Sequence, residues 1–320
     1  MTEALFPGIE PFATGMLDVG AGHRVYWEQS GNPHGIPVLF CHGGPGSSCG
    51  AVHRRFFDPA RYRAILFDQR GCGRSEPLGE IRHNTTWDLV ADMEMLRREL
   101  EVERWLLFAG SWGATLALAY AQSHPQAVTG LVLRGVFLGT DEEVDWFLHG
   151  LRRFVPEAWS TFARALDAGA SSHLLHTCIQ RLEAGPPAAS LNAARAWMAY
   201  ESEVMALGEQ PSASSVAPRD EAVLARVRIQ THYLRHQCFL AERPILGRMA
   251  AIRSLPAIVV QGRLDMVCPP VTAHRLVAHW AAAELRMVEC AGHLVFNPDL
   301  ALALVRALSD FSGRLAVEGQ

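Results

Sequence analysis

The sequence predicts an α/β chain: a mostly parallel sheet with helices on both faces and an inserted all-helical cap. Three observations carry this. Short β-branched and aromatic runs alternate with longer helical patterns through the first 140 residues, as a parallel sheet with crossover helices requires. From about residue 141 to 246 the pattern is helical and no convincing strand is found. After that the strand pattern returns. The chain therefore divides, on this reading, into a core of residues 1–140 and 247–320 and a cap of residues 141–246.

Strands are expected at 25–29, 38–41, 63–68, 105–109 and 130–134. The runs Val38-Leu39-Phe40-Cys41 and Leu131-Val132-Leu133 are apolar without alternation, which suits parallel strands buried on both faces. Helical periodicity fills 86–100 and 112–123. In the middle third five helices are expected, at 142–154, 157–166, 172–183, 191–207 and 221–240. Gly185-Pro186-Pro187 and the polar stretch 211–218 break them. Strands at 257–261 and 285–289 and helices at 271–282 and 300–310 complete the core.

With 320 residues, 49% of them hydrophobic, the chain has the apolar mass for a large core. All 29 basic residues are arginine. The lack of lysine excludes a P-loop lysine, a Schiff base and a Ser-Lys dyad. A net charge of −4 gives no reason to expect nucleic acid or an anionic membrane as partner. The seven cysteines form no Cys-x-x-Cys pair and are odd in number, which fits reduced thiols in a cytoplasm. Residues 1–15 show no basic region leading into an apolar run, so no secretory signal is expected. No stretch of about 18 apolar residues is present to span a membrane.

The chemistry concentrates at strand ends. Strand 105–109 runs through Gly110 into Ser111 and a helix that opens Trp112-Gly113. A serine on such a strained turn needs small neighbours two residues away on either side. Here they are Ala109 and Gly113; glycine at both places is usual. A Gly-Ser turn also arises by chance, so the surroundings decide. Strand 38–41 runs into His42-Gly43-Gly44-Pro45-Gly46, whose backbone, with the N–H after the serine, would form an oxyanion hole from Gly44 and Trp112. A phosphate loop would need a Gly-Lys-Ser/Thr sequence, which a lysine-free chain lacks. Asp265 then follows strand 257–261, and His293 follows strand 285–289. Ser, Asp and His thus stand in the chain order of a hydrolytic triad, each past the carboxyl end of a strand. His293 would take the proton of Ser111, and Asp265 would fix its tautomer.

Together these residues resemble the proline iminopeptidase family of α/β-hydrolases. The matching stretches are His42 to Gly46; Asp-Gln-Arg-Gly-Cys-Gly-Arg-Ser at 68–75; 84–92; Gly110-Ser111-Trp112-Gly113 with 115–122; and 131–135. Gly262-Arg263 with Asp265, Val267-Cys268-Pro269 and Ala291-Gly292-His293 complete the set. The similarity covers most of the chain, and the tract 68–75 is its most specific part. The resemblance implies an α/β-hydrolase fold and release of N-terminal proline from peptides without metal or cofactor. It also implies that cap glutamates grip the substrate amine. One is matched by Glu201 in Trp197-Met198-Ala199-Tyr200-Glu201. Trp197, Glu201, Val204 and Met205 share one helical face by spacing alone. A carboxylate on an apolar face implies a charged ligand or a buried arginine partner. The family's second glutamate is replaced by Gln230, a neutral amide that brings no charge. Phe137 and Phe147 match aromatics of the family's proline pocket; ordinary core packing would serve them equally.

Other patterns are weaker. His232 and His236 have i, i+4 spacing but no third ligand. Gly20-Ala21-Gly22 lacks the third glycine and the context of a dinucleotide fingerprint. The expected function is a serine aminopeptidase releasing N-terminal proline or another small residue from a small peptide or amide. An esterase or amidase acting on a non-peptide substrate is the alternative, and a receptor that kept the fold is the third reading. Monomer and homo-oligomer are equally compatible with the sequence.

Overall fold

In the computed structural model, residues 5–167, 173–209 and 218–318 are described. Eight strands build one sheet: β1 (Ala13–Gly20), β2 (His23–Gly31), β3 (Ile36–Cys41), β4 (Tyr62–Phe67), β5 (Trp105–Ser111), β6 (Val128–Val136), β7 (Ala257–Gly262) and β8 (Ala283–Val288). Their order is β1-β2-β4-β3-β5-β6-β7-β8. β2 pairs antiparallel with β1 and with β4, and the other five pairings are parallel. The register sets Val38 beside Ala64 on one side and Leu106 on the other. Alternate residues of the central strands therefore enter opposite cores. Leu39 and Leu107 join one core, while Val38, Leu106 and Ile258 join the other.

The central strands match the apolar runs that predict them. β1 was not expected from sequence, and the reason is physical. It is an outer strand whose residues are almost all partly or fully exposed, so it needs no apolar run. Gly20-Ala21-Gly22 is its turn into β2, with all three residues at positive φ (78°, 53° and 80°). The glycines serve a hairpin, not a cofactor. β8, at the other edge, begins two residues before the expected strand because its half-exposed residues carry a weak pattern.

Helices α1 (Thr86–Glu99) and α2 (Trp112–Ser123) follow the expected ranges. Thr85 caps α1 reciprocally with Asp88. Residues 141–246 contain no strand among the described residues. They hold α3 (Asp141–Asp145), α4 (Pro156–Ala165), α5 (Leu174–Ala184), α6 (Pro187–Met205) and α7 (Asp220–Arg235). The single helix expected at 142–154 changes winding: α3 widens into a π-type turn at Trp146–Gly150 and tightens at Leu151–Arg153. The helix expected to reach residue 240 stops at Arg235, where Gln237, Cys238 and Phe239 all take positive φ. α6 starts at Pro187, four residues before the helix expected at 191 and inside the expected Gly-Pro-Pro break, because proline suits the first turn of a helix. Ser172, and all but Pro218 of the stretch 211–218, lie outside the described residues. Helices α8 (Pro270–Ala278) and α9 (Pro298–Glu318) return to the sheet. Among the described residues no helix is long and apolar enough to cross a membrane.

Six of the seven cysteines are buried, and Cys290 is exposed. Cys41, Cys49, Cys72 and Cys268 lie in the core, Cys178 on α5, and Cys238 past the end of α7.

Candidate active site

One cavity at the carboxyl ends of β3, β5 and β6, roofed by α3, α6 and α7, brings together most of the residues singled out in the sequence. Ser111, His293, Gly44, Phe137, Phe147, Glu201 and Gln230 all border it. Ser111 joins β5 to α2 at φ 57° and ψ −130°, a conformation that is strained for a residue with a side chain. The crowding around it explains its neighbours. A Cβ on Gly113 would lie 2.1 Å from the Cys41 carbonyl oxygen, so only glycine fits there.

Asp265 and His293 are both buried. His293 Nδ1 lies 2.8 Å from Asp265 Oδ2 and 3.0 Å from Oδ1. Asp265 Oδ1 also accepts from the Cys268 N–H at 2.8 Å. Arg134, not singled out as a site residue from sequence, borders the same cavity. It donates to the His293 carbonyl at 2.6 Å and brings Nη1 within 3.4 Å of His293 Nε2. A carboxylate only accepts, so the ring proton sits on Nδ1 against Asp265. Burial lowers the Arg134 pKa. Glu209, just past α6, accepts from the Leu294 N–H at 3.0 Å and from Asn297 at 2.8 Å. A residue of the helical insertion thereby steadies the loop that carries His293.

The loop after β3 is braced by a second network. Gln69 donates its backbone N–H to His42 Nε2 at 3.0 Å and its side-chain amide to the His42 carbonyl at 2.8 Å. Its side-chain oxygen accepts from the Trp112 indole at 2.9 Å. Burial lowers the His42 pKa. The neutral ring accepts at Nε2 and donates from Nδ1 to the Gly43 carbonyl at 3.0 Å. Gly44 stands at φ 120°, where a Cβ would lie 2.6 Å from Gly46 N. Trp112 opens α2, so its N–H has no partner one turn back. Gln69 lies inside the specific tract 68–75, yet only the fold shows that it joins the Gly44 loop to the Ser111 helix.

The roof carries the remaining candidates. Phe147 packs its ring on Trp197 and Tyr200 at centroid distances of 5.9 and 5.4 Å. Trp197, Glu201 and Val204 are buried, as their shared helical face predicts. Glu201 Oε2 accepts from Arg226 Nη2 at 2.7 Å, and Oε1 accepts from Gln230 Nε2 at 2.8 Å. Gln230 Oε1 accepts from the Trp197 indole at 3.0 Å. Of the two explanations for a carboxylate on this face, the structure supplies the arginine. His232 is turned to the Asn84 carbonyl, and among the described residues no group of three metal-ligating side chains exists.

This fold and this cavity define the class. Residues 36–298 match the α/β hydrolase fold family. Over 96% of this chain and 99% of its own length, a proline iminopeptidase of Xylella fastidiosa is 43% identical. One from Arabidopsis thaliana is 44% identical over 95% of this chain and 80% of its own length. A solved proline iminopeptidase from Mycobacterium smegmatis shares the fold, with a TM-score of 0.61 over 95% of this chain and all (100%) of its own, at 18% identity. The chain belongs to the proline iminopeptidase family of α/β hydrolases, and is a hydrolase of the aminopeptidase kind.

Proposed function

We propose that Ser111, His293 and Asp265 form a catalytic triad that hydrolyses the acyl bond of an N-terminal proline or another small residue. The observation that carries this is the meeting, at one cavity, of a strained Ser111 and the buried His293–Asp265 pair. Ser111 Oγ attacks the scissile carbonyl carbon. His293 Nε2 takes the hydroxyl proton and passes it to the leaving amine, whose loss leaves an acyl-enzyme. Water then attacks by the same route and frees the acid. Asp265 steadies the imidazolium, and the N–H groups of Gly44 and Trp112 receive the oxyanion. Residues 1–140 and 247–320 act as the catalytic core, with 141–246 as cap. Phe137 and Phe147 form the apolar wall for a proline ring, and Glu201 and Gln230 receive its nitrogen. Peptides are the substrate class, and buried free thiols support a reducing cytoplasm as the compartment.

Ser111→Ala should lower turnover of a prolyl arylamide by roughly 10⁶-fold with unchanged folding, and a serine-directed phosphonate should label wild type at Ser111 alone. Retention of more than about 1% of the wild-type rate overturns the triad. A second reading, an esterase or amidase on a non-peptide acyl group, is favoured by one observation: Arg226 already occupies Glu201.

A further inference from the structure

The charges around the cavity balance. Glu143 and Glu201 border it, as do Arg134 and Arg226. Glu143 is spent locally, accepting from the N–H groups of Leu138 and Thr140 and from the Thr140 hydroxyl. Arg134 is spent on the His293 loop. What remains at the cavity wall is the cluster Glu201, Arg226 and Gln230: one negative charge, one positive charge and one neutral amide.

Within that cluster, hydrogen-bond donors are in excess. Both oxygens of Glu201 already accept, from Arg226 and from Gln230. The Gln230 oxygen is held by Trp197. Arg226 gives one N–H to Glu201, and its Nε is buried without an acceptor among the described residues. An incoming ammonium meets a carboxylate whose charge a guanidinium already balances, and must sit beside that guanidinium. A carbonyl oxygen instead can accept from the guanidinium itself, which carries five N–H donors and gives one of them to Glu201.

Resting on the proposed Ser111 site, we infer that Arg226 is a specificity-determining residue, and that this chain also hydrolyses aminoacyl esters and amides whose nitrogen is blocked by an acyl group. The blocked substrate R–CO–NR″–CHR′–CO–X, in which R″ is hydrogen or closes the proline ring with R′, adds water across its CO–X bond and yields the N-acyl amino acid and HX. The N-acyl carbonyl accepts from a guanidinium N–H of Arg226 that is not given to Glu201, while the Glu201–Arg226 pair stays closed.

The test compares prolyl and N-acetylprolyl arylamides at pH 7 in wild type, Arg226→Met and Arg226→Lys. For wild type, kcat/KM on the blocked substrate should be at least one tenth of that on the free one; a smaller ratio overturns the inference. Arg226→Met exposes the Glu201 charge and should lower the blocked-to-free ratio at least tenfold, chiefly by lowering KM for the free amine. Arg226→Lys keeps the positive charge and should hold the wild-type ratio within about threefold. A ratio unmoved by Arg226→Met overturns the inference, and should that variant fail to fold, the wild-type ratio still decides. Phosphonate labelling of Ser111 separates the two readings. Labelling together with strict free-amine preference rejects Arg226 alone, whereas absence of labelling rejects the Ser111 site and this inference with it.

Discussion

Asp265 holds two N–H groups at once, and that geometry decides what an amide would do in its place. Oδ1 receives the Cys268 N–H, while Oδ2 lies nearest His293 Nδ1. In Asp265→Asn the amide oxygen will stay with Cys268, because turning it away would set two donors face to face. The NH₂ group then faces Nδ1 and forces the ring proton onto Nε2, where no proton can be accepted from Ser111. The expected fall in kcat is about 10³–10⁴-fold, with a melting temperature close to wild type. Unchanged kinetics would mean that another acid orients the base. At this scale the sequence was informative wherever a residue stood next to a strand end or a small-residue turn. It was silent on Arg226. That residue lies on α7 and meets Glu201 on α6, 25 positions away, and no spacing within either helix announces a pairing between them.

Helix α1 shows how an element is held, and also a charge whose effect can be measured. Glu94 accepts from Arg97 and Arg98 on its own helix and from the Tyr120 hydroxyl on α2. Chiefly through Arg97, these partners bring its pKa down to about 2 from an ordinary 4.5. A carboxyl lowered on folding stabilises fully above its unfolded pKa and loses that contribution as pH falls toward the folded value. Glu94→Gln should therefore destabilise the protein by about 1–2 kcal/mol at pH 7. In urea unfolding the gap between variant and wild type should narrow between pH 5 and pH 3. A gap of equal size at both ends would assign the loss to shape and not to charge. Elements were legible in proportion to burial. The interior strands announce themselves as apolar runs, and Gly-Pro-Pro marks the start of α6. The half-exposed β1 does not, and no break in the helical spacing marks the altered winding after α3.

For the molecule as a whole, the alternation of strand and helix followed by a long helical insertion was enough to place the sheet, the roof and the cavity between them. What lay beyond reach was the set of contacts that join distant segments, such as Glu209 to the His293 loop. The distribution of sulfur now acquires a use. Burial pushes the Cys178 thiol up to about 12 and raises those of Cys41, Cys49, Cys72, Cys238 and Cys268, so their reactive thiolate form is suppressed as well as shielded. A bulky aryl disulfide should modify one thiol quickly in the native state, Cys290, and all seven in denaturant; rapid modification of a second would contradict the packing. The six slow sites are built-in clocks. Cys178 and Cys238 time the loosening of the helical roof, while Cys41 on β3 and Cys49, Cys72 and Cys268 in the loops after β3, β4 and β7 time that of the sheet's carboxyl edge. Peptide mapping of a brief pulse of reagent would reveal which layer of the molecule lets go first, with no engineered probe.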